Sequence, residues 1–75
     1  MELEALKEAI TKVLSVYIKE IDEDSTFEGD FGADSIDKCQ IFRCVEESLD
    51  IEIPEVDLDD IVTVSDALLL IRNSN

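Results

Sequence analysis

The chain has no histidine and no tryptophan, one proline, two glycines, two cysteines and only six Lys and Arg among its 75 residues. Without an imidazole there is no Ser-His or Cys-His nucleophile pair, no His-based zinc site and no side chain that shuttles protons near neutrality. Two cysteines cannot build a four-cysteine zinc site. No apolar run reaches about 18 residues and no secretory signal pattern is present, so the expectation is a soluble, cytoplasmic chain with reduced thiols and no stable membrane association. Six cations against 20 Asp and Glu leave a net charge of −14. Such a surface repels phosphate backbones, which argues against nucleic acid and for partners with basic patches.

What is present is hydrophobic side chain in quantity. Apolar residues make up 45% of the chain, too many for a disordered acidic tail. The length suits one small domain over residues 1–75, and a core of that size barely outweighs the entropy of ordering. It is too small for most self-contained enzymes, and no repeat or low-complexity tract divides it. We read it as a non-enzyme.

Hydrophobic period organises the chain. From Glu2 to about Ile18, a turn of about 100° per residue puts Leu3, Leu6, Ile10, Val13, Leu14 and Tyr17 on one stripe, which predicts an amphipathic helix. The period is lost from Lys19 to Asp34, a stretch with seven acidic residues, both glycines and the anchors Phe27 and Phe31. A loop longer than about 12 residues inside a small domain is usually functional.

A second helix runs from an N-cap at Asp34 or Ser35 to about Leu49. Ile41, Phe42, Val45 and Leu49 share its inward face, while Ile36, Cys39, Gln40, Arg43, Glu46 and Glu47 form an outward stripe. Spacing leaves that stripe open between surface scatter and a contact surface. Pro54 predicts an extended connector, followed by a short helix over roughly Val56 to Ile61. Thr63-x-x-Asp66 is a weak capping-box pattern ahead of a last helix to about Arg72, with Val64, Ala67, Leu68 and Ile71 inward and the final three residues frayed. The fold class is all-α, a small four-helix bundle of three main helices and one short one, with a long loop between the first two.

Three constellations could carry chemistry. Asp24, Thr26, Glu28, Gly29 and Phe31 fall on calcium-loop positions, but the closing bidentate Glu is Ser35 instead, so no metal ligand is assigned. Cys39 and Cys44 point about 140° apart on one helix, which no disulfide bridges, so they are not a redox couple. Gly32-Ala33-Asp34-Ser35-Ile36-Asp37 sets a serine at a helix N-terminus, where unpaired amides favour an attached phosphate. Ser35 either caps the helix or anchors a phosphoester, and the hexapeptide leaves both open.

Phe31-Gly32-Ala33-Asp34-Ser35-Ile36-Asp37 resembles the Leu-Gly-Ala-Asp-Ser-Leu-Asp motif of acyl carrier proteins. Glu46-Glu47 with Leu49, then Glu52-Ile53-Pro54, then Ile61, Thr63-Val64 and Asp66 resemble further family landmarks in register, so the resemblance spans essentially the whole chain. It implies that a phosphopantetheinyl transferase loads 4'-phosphopantetheine onto Ser35, flanked by Asp34 and Ile36. The arm then holds acyl groups as thioesters for acyl-transferring and acyl-modifying enzymes of fatty acid, polyketide or other acyl synthesis. It also implies a monomer that meets partners through Asp37, Cys39, Gln40, Arg43, Glu46 and Glu47. In this family the core can open to shelter the acyl chain, and Phe42, Val45, Ile61 and Leu68 are candidates for that lining.

Gln40 replaces a frequent acid of the family, while Lys38 and Arg43 bring positive charge onto or beside the expected docking surface. These departures imply a specialised member with its own partners. The alternatives are an aminoacyl or peptidyl carrier and, in another class, a non-catalytic acidic calcium-binding or interaction module.

Overall fold

A computed structural model describes residues 2–74. Helix α1 spans Glu2–Leu14, α2 spans Ser35–Leu49 and α3 spans Val64–Asn73, with 3-10 turns at Ile18–Glu20 and Leu58–Asp60. The all-α expectation holds. The fourth, short helix is a single 3-10 turn, because Pro54 and the extended Asp57 delay helical geometry until Leu58.

Helix α1 packs against both α2 and α3, so its stripe is the centre of the core. Leu6, Ala9 and Ile10 of α1 meet Ile41, Phe42 and Val45 of α2 and Val64, Ala67, Leu68 and Ile71 of α3 in one cluster. The inward faces follow the periodicity expected for α2 and α3, with Leu49 only partly buried at the edge. Cys44 is likewise partly buried and Cys39 exposed, both as free thiols.

Helix α1 is shorter than its pattern predicts. Ser15 takes a left-handed φ of 57°, which ends the helix after Leu14. The Val16-Tyr17-Ile18 run that follows gives little support to a further turn, since β-branched and aromatic residues lose rotamer freedom in helices. Tyr17, assigned to the apolar stripe, is 71% exposed instead.

The connector between α1 and α2 is held by its own core residues. Ile21, Phe27 and Ala33 are buried, and Phe31 stands edge-on to Phe27 with centroids 6.2 Å apart. Backbone bonds tie it to the start of α3: Phe27 N–H donates to Val62 O at 3.0 Å, Val64 N–H to Ser25 O at 2.9 Å and Ser65 N–H to Glu23 O at 2.9 Å. These bonds satisfy amides that a loop would otherwise leave to water.

Helix α3 opens with the expected capping box. Thr63 accepts from Asp66 N–H, and the Asp66 carboxylate accepts from Thr63 and Val62 N–H, each at 3.1 Å. Those amides hold the Asp66 carboxyl below its ordinary value near 3.8, the Thr63 N–H being the largest cause, against a smaller opposing effect of burial. The expected fraying is not seen at Asn73, which remains helical, or at Ser74, whose hydroxyl donates to Leu70 O at 2.8 Å. Asn75 lies outside the described residues.

Candidate functional site

The site is built where the connector turns into α2. Gly32 has a φ of +66°, a conformation that side chains with a Cβ resist. Ala33 follows, buried, with its N–H on Phe27 O at 2.8 Å. This pins the chain so that Asp34 arrives in extended geometry as the N-cap of α2. Asp34 Oδ1 accepts from Asp37 N–H at 3.0 Å, and Asp37 Oδ2 accepts from Asp34 N–H at 3.3 Å. Such a cap contributes about 1 kcal/mol.

The capping box shows which residue caps α2. Asp34 is the cap, so Ser35 occupies the first helical position with its side chain exposed and free of capping duty. Amides in the first turn of a helix have no carbonyl one turn back, so the start of α2 offers donors near the hydroxyl. Ser35 Oγ donates to Asp59 Oδ1 at 3.4 Å, a long bond from the Leu58–Asp60 turn. Asp59 is itself held by its N–H on Asp57 Oδ1 at 3.0 Å.

The other residues of the expected surface divide. Ile36 is 68% exposed next to Ser35. Cys39, Gln40, Arg43 and Glu47 are exposed along α2. Asp37 is half-buried and committed to the capping box, and Glu46 accepts from Ile53 N–H at 2.8 Å, which fixes the connector after α2. A groove of about 420 Å³ lies between α2 and residues 53–58, reached by Cys39, Phe42, Arg43 and Leu70. Of the four side chains named as a possible acyl lining, only Phe42 reaches it. Val45, Ile61 and Leu68 are closed within the core.

Lys38 does not lie on the outward face of α2 where the charge is expected. It is 1% exposed, turned inward from α2, and its Nζ donates to Leu58 O at 3.0 Å. Glu28 stands 3.7 Å from the ammonium and the Phe27 ring centroid 5.9 Å away. Glu28 is largely exposed, so that ion pair contributes less than about 1 kcal/mol. The charge-assisted bond to the carbonyl, on the scale of about 1.5–3 kcal/mol, is the stronger hold. A signal for this was legible: positions 38, 41, 42 and 45 form one helical stripe, with the lysine at its head.

The calcium-loop residues do not converge. Asp30 Oδ2 is turned to Thr26, accepting its N–H at 2.7 Å, and Asp24 N–H caps onto Asp22 at 2.9 Å. Among the described residues, no three His, Cys, Asp or Glu side chains are grouped to hold a metal ion. Asp59 is the neighbour of Ser35 that sequence reasoning missed, since it reaches the serine only through the tertiary fold.

Ser35 thus stands exposed at the start of α2 in an acidic all-α fold. Residues 4–71 match the family model described as the phosphopantetheine attachment site. The chain is 43% identical over 68 residues to an acyl carrier protein of Sulfurovum sp. (strain NBC37-1), covering 91% of each. The chain belongs to the acyl carrier protein family, whose members bear phosphopantetheine and act as carriers, not as catalysts. Its carrier domain implies contact with transferases and acyl-handling enzymes. Among the described residues, no helix is long and apolar enough to cross a membrane.

Proposed function

We propose that Ser35 is the attachment residue for 4'-phosphopantetheine, and that the chain shuttles acyl groups between cytoplasmic enzymes of a specialised fatty acid, polyketide or related pathway. The observation that carries this reading is the exposed Ser35 hydroxyl, released from capping by Asp34. The positive end of the α2 dipole favours the anion, against the Asp59 carboxylate 3.4 Å from the hydroxyl, while Asp34 and Asp37 accept from each other's backbone amides. Once attached, the arm supplies a thiol that carries acyl groups as thioesters.

The chain's own contribution is presentation. A tether at the end of a rigid helix raises the local concentration of cargo at each docked enzyme. Ile36, Cys39, Gln40, Arg43 and Glu47 offer an exposed face of mixed character along the same helix. A strongly acidic monomer is steered to basic patches and leaves quickly, because exposed ion pairs are individually weak.

The test is intact mass after incubation with coenzyme A, Mg²⁺ and a broad-specificity phosphopantetheinyl transferase. The expected result is one phosphopantetheine per chain in the wild type and none in Ser35→Ala. An unmodified wild type beside a fully modified control carrier overturns the assignment.

A further inference from the structure

We propose that Lys38 is a specificity-determining residue: it locks the seam between α2 and the Leu58–Asp60 turn, directly below Ser35, and so keeps long apolar acyl chains out of the core. This rests on Ser35 being the tether. Two successive residues of the turn bond to α2 here, Leu58 O to Lys38 Nζ at 3.0 Å and Asp59 Oδ1 to Ser35 Oγ at 3.4 Å. Lys38 is 1% exposed and, with Thr26, Glu28, Gly29, Asp59 and Val62, lines a cavity of about 250 Å³ beside the turn. Around it the Phe27 ring is fully buried, and Ile61 and Leu68 behind the turn are buried as well.

An acyl chain tethered at Ser35 that entered this seam would have to part the turn from α2. That breaks the Lys38–Leu58 bond and lays hydrocarbon against the ammonium, leaving it only the exposed Glu28 carboxylate at 3.7 Å. It also leaves the Leu58 carbonyl unpaired in an apolar setting. An apolar or small hydroxyl side chain at position 38 would impose neither cost. The lysine therefore biases the protein toward cargo that is short or polar, or that stays outside the bundle.

The test loads acetyl- and octanoyl-phosphopantetheine from the corresponding acyl-coenzyme A onto wild type, Lys38→Met and Lys38→Arg. Thioester cleavage by neutral hydroxylamine and the methyl shifts of Ile61 and Leu68 are then read. In the wild type the two thioesters cleave within about twofold of each other, as expected when neither chain leaves water, and the methyl shifts are the same for both. In Lys38→Met, octanoyl cleavage slows about tenfold, the scale of sheltering two methylene groups, and the Ile61 and Leu68 methyls move. Lys38→Arg keeps the cation and behaves as wild type.

Octanoyl protection with Ile61 and Leu68 shifts in the wild type itself overturns the inference, whatever the variants do. So does a folded Lys38→Met that shelters nothing. Failure to load any arm overturns the carrier reading and this inference with it, whereas normal loading with early sheltering sinks the inference alone.

Discussion

Ser35 Oγ and Asp59 Oδ1 are 3.4 Å apart, joined by the serine's own proton. A phosphodiester at that oxygen removes the donor and sets a second anion against the carboxylate, so Asp59 must turn away. Modification is therefore expected to shift the amide resonances of residues 58–60 in the wild type. It should also raise the melting temperature of Asp59→Asn by about 2–4 °C more than that of the wild type, the scale of one exposed charge contact. Equal shifts in both proteins would mean that the two groups do not sense each other.

Phe27 carries the connector. Its ring is fully buried and touches Phe31 edge-on, so truncation opens a cavity in a core that has little to spare. Phe27→Ala is expected to lose about 3–5 kcal/mol by urea denaturation, enough to leave much of the protein unfolded, while Phe27→Leu loses far less. A loss below about 1 kcal/mol for the alanine variant would place the connector outside the cooperative unit.

Asp66 supplies a pH signature. Its carboxyl is held below the ordinary value near 3.8 by the Thr63 and Val62 amides, so the folded state prefers the ionised form. A depressed folded value stabilises the protein above the unfolded one, and the contribution is lost as pH falls through the folded value. Thermal melts of Asp66→Asn should lie below those of wild type by a constant margin from pH 7 to about 5, and the margin should close on acidification below 3.8. A margin unchanged at about pH 3 would assign the effect to shape and not to charge.

Asp50 ends α2 in the left-handed conformation with φ 55°, and it adds a negative charge at the negative end of the helix dipole. Both features disfavour it. Asp50→Gly is expected to gain about 1 kcal/mol, or about 4–8 °C in melting temperature. A lower melting temperature would show that the aspartate side chain contributes something the backbone geometry does not reveal.

Arg43 is exposed on the outer face of α2 beside the groove. Reversing it to Glu should change stability by less than about 0.5 kcal/mol while altering association rates with acyl-handling enzymes, most at low salt. Unchanged kinetics together with a large fall in melting temperature would remove it from the docking face.

Local rules carried much of this molecule in advance. The inward stripes of α2 and α3, the Thr63–Asp66 box and the serine at a helix start are all effects of spacing within a few residues, where helical period and capping chemistry act. The end of α1 was less legible, because Ser15 entering left-handed geometry and Tyr17 turning to solvent depend on how the connector docks. The sense of Lys38 was harder still. Its stripe pointed inward, yet a lysine is buried only where a partner waits, and that partner is a carbonyl on the Leu58–Asp60 turn.

The residues alone therefore determined an acidic, helical type of chain and the position of its candidate tether, since charge, periodicity and motif are read over short distances. Tertiary structure decided that Asp34 and not Ser35 caps α2, that Asp59 reaches the serine, and that Lys38 closes the seam beneath it. The first is a contest within one helical turn, won by Asp34 through the Asp37 amide, whereas the other two are settled only when distant segments are packed together.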